Sequence, residues 1–256
     1  MLFVRAAELR RERVPSFDVY PFNLPAVRHF GRLEFSSPVT VLVGENGTGK
    51  STLLEAIAVA LGFNPEGGSR NFAFGTRPSH SELHTYLRLV RAPSRPRDGY
   101  FLRAESFFNV ATQIEELDKV PDAGPRIIDS YGGQSLHEQS HGESFLTLLQ
   151  ERFRGSGLYL LDEPEAALSP MRQLAALARM HHLVEAGSQF ILATHSPVLM
   201  AYPEAQLLGL SETGIAPLDY DETEHVVVMR HFMNNRESLL TELLREDDEL
   251  LGEDGA

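Results

Sequence analysis

A chain of 256 residues with a formal net charge of -13 and no cysteine is long enough for one large α/β domain with a substantial core. Its composition excludes disulfide frameworks and thiolate metal sites, and its acidic balance argues against bulk coating of nucleic acid, which needs clustered Lys and Arg, while leaving room for a local basic patch. No stretch approaches the length of a membrane span and residues 1–13 lack the apolar run of a signal peptide, so a soluble, cytoplasmic protein is expected.

Residues 17–35 alternate loosely between apolar and polar types, with Pro15, Pro21 and Pro25 as interruptions, which predicts short edge strands and turns. The β-branched run 39–43 ends at Gly44 and precedes a helical pattern over 51–61 whose apolar positions are Leu53, Leu54, Ile57, Ala58 and Leu61; the order is strand, glycine loop, helix. Gly, Pro, Ser and Arg then rise over 62–97 around a helical patch at 83–90, the mark of a surface insertion. A strand at 100–104 leads into a helix at 107–117. After a polar stretch at 121–141, residues 143–154 are amphipathic, with Phe145, Leu148, Leu149 and Phe153 on one helical face. The apolar run 158–161 predicts a strand buried on both faces, followed by a helix at 171–185, a buried strand at 189–194 and another strand from 206 to 210.

Strands alternating with helices imply an α/β fold, a mainly parallel sheet flanked by helices with an N-terminal antiparallel β flank. There is no internal repeat and no heptad stretch long enough for a coiled-coil arm. The expectation is one domain over 1–256, with a helical and loop insertion at about 62–140 and an acidic tail at about 246–256 that forms a solvated helix end and a frayed terminus.

Gly44-Glu45-Asn46-Gly47-Thr48-Gly49-Lys50-Ser51-Thr52 satisfies G-x-x-x-x-G-K-[ST] between the strand and helix that this motif requires. Its glycines let backbone N–H groups turn inward on phosphates, Lys50 sets a cation against the β and γ groups, and the Ser51 hydroxyl can ligate Mg²⁺. Downstream, a buried strand ends in Asp162 and Glu163 ahead of Pro164, at the edge where open α/β sheets bind ligands. With a phosphate loop in the same chain, Asp162 is the expected partner of Mg²⁺, and Glu163 can polarise the water that attacks a γ-phosphate.

Gln139-Ser140-His141-Gly142-Glu143, directly before the 143–154 helix, resembles a variant of the ABC signature L-S-G-G-Q/E: Ser140, Gly142 and Glu143 match, and Gln139 and His141 depart. The resemblance implies a P-loop NTPase of ABC type in which Ser140 and Gly142 of one subunit cap the ATP of a second copy. Gly132-Gly133-Gln134 is closer in letters, but it has no Ser ahead of its glycines and no helix directly behind them. Thr194-His195-Ser196 resembles the ABC switch histidine, which contacts the γ-phosphate, and 165–169 resembles the loop that communicates across the ABC dimer. The family's Gln near the metal has no clean counterpart: Glu105 fits by place and is favoured, whereas Gln113 fits by type but lies inside a predicted helix. Among aromatics ahead of the phosphate loop, Tyr20, Phe22 and Phe30 are all available for adenine or for the core. The Asn46 loop, the S-H-G-E-S signature and Leu161-Asp162-Glu163-Pro164-Glu165-Ala166-Ala167-Leu168-Ser169-Pro170 further resemble small bacterial ATPases near the Rad50, SMC and RecF branch.

The leading expectation is an Mg-dependent ATPase, Lys50, Glu163 and His195 being catalytic. It works as an ATP-dependent homodimerisation switch on an unidentified protein or nucleic acid. The alternative is the nucleotide-binding subunit of a membrane ABC transporter. A protein that holds ATP without turnover is disfavoured by the presence of Lys50, Asp162, Glu163 and His195 together.

Overall fold

The computed structural model describes residues 2–70, 81–119 and 126–244, so the expected acidic tail lies outside the described residues, as do two parts of the 62–140 span. The strands are β1 (Val4–Leu9), β2 (Arg32–Glu34), β3 (Val39–Val43), β4 (Gly68–Ser69), β5 (Leu87–Arg91), β6 (Asp98–Arg103), β7 (Gly157–Asp162), β8 (Gln189–Ala193), β9 (Gln206–Ser211) and β10 (Gly214–Pro217). The helices are α1 (Pro25–Arg28), α2 (Lys50–Ala60), α3 (Phe107–Asp118), α4 (His141–Thr147), α5 (Pro170–Glu185), α6 (Pro197–Met200) and α7 (Glu224–Leu243).

A seven-stranded sheet runs in the order β10-β9-β3-β8-β7-β6-β4. Its five inner strands pair in parallel, and β10 and β4 close the two edges antiparallel. Strands β3, β7 and β8 are buried at every position, as required where both sheet faces are covered by helices. Their Val, Leu and Ile side chains each contribute roughly 1.5–3 kcal/mol of transfer free energy. A smaller antiparallel sheet, β2-β1-β5, provides the expected N-terminal flank.

Several elements differ from the sequence expectation; within 17–35 only Arg32–Glu34 is a strand, and Pro25–Arg28 is helical. Residues 83–90 do not form a helix: Glu82–Tyr86 is a 3-10 turn and Leu87–Arg91 is strand β5. Leu87, Arg88 and Leu89 alternate inward and outward along the ladder to β1, and the strand takes that partner because β1 offers an open edge. Strand β1 itself is masked in the sequence by charges, since Arg5 points outward while Val4, Ala6, Ala7 and Leu9 are buried. The amphipathic 143–154 segment begins as α4 and widens into a π-helical turn over Leu148–Arg152. Leu148, Leu149 and Phe153 remain buried through the change. Within the 62–140 span, β4 and β6 join the large sheet and β5 the small one.

The chain divides into two compact units, Met1–Leu218 and Asp219–Ala256. Both sheets belong to the first. The second holds a 3-10 turn at Tyr220–Glu222 and α7, which leaves helical geometry at Asn235.

A fully buried carboxamide ties the two sheets together, beside the partly buried Gln206 of β9, which donates to Glu34 O of β2 at 2.9 Å. Gln189, at the start of β8, accepts from the N–H groups of Phe3 and Val4 at 2.7 and 3.0 Å and donates to Val4 O at 2.9 Å. Gln189→Leu would keep the bulk and strand these backbone groups without water. It is expected to lower the unfolding free energy by about 2–4 kcal/mol, measured by guanidinium denaturation; an unchanged midpoint would refute the role of this junction.

Candidate active site

The phosphate loop begins where β3 ends. Gly44 passes so close to β9 that a Cβ there would lie 2.4 Å from Leu210 O, so any side chain would displace the loop. At the other end, Gly49 takes a left-handed φ of 99° and caps α2, which turns the chain directly into the helix. Glu45, Asn46 and Gly47 are exposed, and Thr48 closes the loop by donating its hydroxyl to Glu45 O at 2.8 Å. The Lys50 ammonium is buried and folds back into the loop, donating to Gly44 O at 2.7 Å and Glu45 O at 2.9 Å. Burial lowers its pKa, and Glu163, Asp162, Glu165 and Glu45 oppose that shift. Ser51 and Thr52 follow in the first turn of α2.

Sheet register carries the acids to the same place. Ala193 on β8 pairs with Leu42 on one side and Asp162 on the other, so the ends of β3, β7 and β8 lie on one sheet edge. There the Ser51 hydroxyl of the phosphate loop lies close enough to the Asp162 carboxylate to favour its charged form. Asp162 is buried, and this burial pushes its pKa up to about 6 although Ser51 and Arg103 both favour its charged form. Its Oδ1 is buried with no hydrogen-bond partner among the described residues. A hard carboxylate oxygen without a partner, beside a hydroxyl at the foot of a phosphate loop, fits Mg²⁺, which is commonly held by one or two protein oxygens together with substrate phosphates.

Glu163 takes a left-handed backbone, φ 49° and ψ 50°, unusual for a residue with a long side chain. Its carboxylate is 46% exposed and lies 4.0 Å from His195 Nε2. The proposed acid pair therefore divides in environment, with Asp162 buried toward the loop and Glu163 open to solvent.

The structure adds residues that sequence reasoning missed. Arg103, in register with Asp162 across β6 and β7, sets its Nε 3.6 Å from Asp162 Oδ2 and its Nη1 2.8 Å from Glu55 Oε2 on α2. A charge ending a buried strand opposite an acidic strand end was the available signal. Glu105 lies just beyond, is largely exposed, and reaches the Arg103 Nη2 at 3.4 Å; Gln113 bonds to Glu116 on the surface of α3. Glu165 accepts from the Thr194 hydroxyl at 2.6 Å and from His195 N–H at 2.5 Å.

Ser140, Gly142 and Glu143 form a second group. Ser140 caps α4 in a reciprocal capping box with Glu143, a local arrangement that the S-x-x-E spacing dictates. Hydrogen bonds from Ser140 hold the Glu143 carboxyl below its ordinary pKa range. From α5, Arg172 donates to Ser140 Oγ at 3.3 Å and to Glu143 Oε1 at 3.2 Å. A Cβ on Gly142 would lie 2.4 Å from Arg172 Nη1 and 2.8 Å from Ala167 O, so the glycine is required for α4 to pack there. Gly132 ends a 3-10 turn at Ile127–Tyr131 and opens no helix. Of the aromatics ahead of the loop, Phe22 and Phe30 are core residues and Tyr20 is exposed.

A glycine loop between β3 and α2, with an acidic strand end beside its Ser, defines a P-loop ATPase fold of ABC type. Residues 22–119 match a family described as "AAA domain", and 126–201 match one described as "AAA domain, putative AbiEii toxin, Type IV TA system". The DNA repair protein RAD50 of Drosophila melanogaster is 36% identical over 87 residues, 34% of this chain and 6% of that protein. A "Putative ABC transporter ATP-binding protein" of Streptomyces coelicolor is 26% identical over 219 residues, 82% of this chain and 36% of that one. The chain thus spans well under half the length of either. In fold, it is similar to an ATP-binding cassette of an ABC transporter, with a TM-score of 0.50 at 16% identity, covering 93% of this chain and 98% of that one. Two successive parts of the chain thus match AAA-type P-loop ATPase domains, and the chain is similar to RAD50 and to ABC ATPases.

Because the folded Asp162 pKa lies above its unfolded value, its contribution is stabilising at low pH and is lost as pH rises from about 4 toward 6. Asp162→Asn removes that loss. The nucleotide-free variant is expected to exceed the parent by about 1–2 kcal/mol at pH 7.5 while losing turnover. Thermal melts across pH 4–8 test this, the gap widening up to about pH 6 and staying level above it; a variant that is less stable at every pH refutes it.

Proposed function

We propose that this chain binds Mg-ATP at the phosphate loop and hydrolyses it, and that two copies close head to tail around two ATP molecules and open after turnover. The observation that carries the reading is the approach of Ser51 to the buried Asp162 carboxylate at the edge where Lys50, Glu163 and His195 also emerge. Ser51 and Asp162 would hold Mg²⁺, which when bound neutralises charge on the β and γ oxygens. Lys50 exchanges its two carbonyl acceptors for phosphate oxygens. Glu163 orients and polarises the attacking water, and its exposed position leaves room for one. His195 senses the γ-phosphate, Glu105 lies at the outer rim of the metal region, and Tyr20 is the exposed aromatic available to adenine.

The head-to-tail dimer rests on the second group of residues. Ser140 and Gly142 sit at the start of α4 on a surface that bonds to Glu143 and Arg172 rather than to the chain's own phosphate loop. They would therefore serve the nucleotide of a partner copy. The cycle acts as a switch on an attached protein or nucleic acid. A second reading, the ATP-hydrolysing subunit of a membrane transporter, is supported by the name of the Streptomyces relative. No helix among the described residues is long and apolar enough to cross a membrane, so that reading needs a separate permease.

Glu163→Gln with Mg-ATP should accumulate a dimer by light scattering, and Lys50→Ala should abolish both dimer and hydrolysis, a loss of roughly a thousandfold or more in turnover. A Glu163→Gln protein that binds ATP and stays monomeric overturns the switch; undiminished hydrolysis by Lys50→Ala overturns the site. Stimulation of hydrolysis by DNA or RNA favours the nucleic-acid switch, and co-purification with a multispan protein favours transport.

A further inference from the structure

Glu165 stands two residues after Glu163 and touches neither the phosphate loop nor the Asp162 carboxylate. Its own carboxylate is nevertheless the most tightly bonded acid at this edge. One oxygen accepts from the Thr194 hydroxyl at 2.6 Å and the other from the His195 backbone N–H at 2.5 Å. Thr194 is fully buried, and its hydroxyl oxygen in turn accepts from Ser196 N–H at 3.0 Å. One side chain thus holds the backbone on both sides of His195.

The backbone places Glu165 where it can do this. The left-handed conformation at Glu163 turns the chain sharply out of β7 into a 3-10 turn, Pro164–Ala167. Glu163 N–H donates to Ala193 O at 2.9 Å, which ties the turn to the last residue of β8. Ala166 N–H and Leu168 N–H then close the turn onto Glu163 O and Glu165 O at 3.1 and 3.0 Å. A second tie runs in parallel: the Ser196 hydroxyl donates to Gln173 Oε1 at 2.6 Å, and the Gln173 amide donates to Leu168 O at 2.9 Å. Segment 165–168 and segment 194–196 are therefore fastened at two points, one of which is a charged acceptor with two donors, the stronger kind of hydrogen bond.

The geometry points to Glu165 as a positioning residue for His195: it sets the distance between that imidazole and the Glu163 carboxylate, and so couples the 165–168 segment to turnover. This rests on the reading of His195 as a γ-phosphate contact. Movement of the 165–168 segment, such as closure of a second copy against it would produce, shifts His195 through a single carboxylate. The logic is that of an acid that orients a histidine, here through the backbone N–H and the adjacent hydroxyl rather than through the ring.

The test compares Glu165→Ala, Glu165→Gln, His195→Ala and the Glu165→Ala/His195→Ala pair in full-length protein. The readouts are steady-state ATP hydrolysis and binding of a fluorescent ATP analogue. Glu165→Ala is expected to lower kcat roughly 10- to 100-fold and to leave KM and analogue affinity within about twofold. Glu165→Gln retains one carbonyl oxygen for the two donors, so it shows a smaller loss with the same split and serves if the alanine variant fails to fold. In the His195→Ala background, Glu165→Ala should cost less than about twofold more, because both changes remove one function. A full additional loss in that background, or a rise in KM equal to the fall in kcat, overturns the positioning role in favour of a general structural one. Unaltered kcat in both Glu165 variants overturns it too. Wild-type turnover by His195→Ala instead sinks the reading of His195 itself, and the positioning role with it.

Discussion

The whole arrangement depends on the register of three parallel strands. Because Ala193 is flanked by Leu42 and Asp162, the chain leaves β3, β7 and β8 at one level, and everything with chemistry on it follows in the next one to eight residues. The phosphate loop follows β3, Asp162 closes β7 with Glu163 behind it, and Thr194 and His195 follow β8. A slip of one residue in β7 would exchange Asp162 for Leu161 at that edge and turn the carboxylate to the opposite face. Burial at the strand end resists such slips, since a shift that drew Asp162 or Glu163 further into the sheet would bury a charge.

That convergence has an electrostatic cost. Glu55, Asp162, Glu163 and Glu165 crowd around two cations, the buried Lys50 and the partly buried Arg103, and desolvation still prevails at Asp162. Arg103 offsets part of it by spanning Glu55 of the loop-bearing helix and Asp162 of the central strand, which also connects the two halves of the site mechanically. The left-handed Glu163 adds backbone strain at the residue best placed to meet water. A bound cation and triphosphate would relieve the carboxylate crowding, so ligand binding and stability should be linked at this edge.

The second group is built by different means. Its Ser and Glu are fixed locally by a capping box, and its glycine is fixed by the approach of Arg172 and Ala167. Position 141, where the letters depart from the family pattern, carries an imidazole that packs edge-on against Phe108 of α3 at 4.4 Å. The departure is thus explained by packing on this chain's own α3, and the Ser140 cap is unaffected by it.

What the sequence by itself determined is local in origin. The strand-loop-helix around Lys50, the strand ending at Asp162, the helix cap at Ser140 and the alternation that implies a parallel sheet all follow from periodicity, glycine placement and capping chemistry within a dozen residues. Only the tertiary structure decided what depends on distant neighbours. β5 is a strand because β1 offers an edge, and β1 is hidden by its outward charges. Gln189 matters because it accepts from two backbone N–H groups more than 180 residues away. Arg103 forms an ion pair with Asp162, and Glu165 accepts from His195 N–H, because sheet register and a left-handed turn bring separate segments together. No window of the chain encodes such pairings, since side chains meet across a sheet according to strand order and register rather than sequence distance.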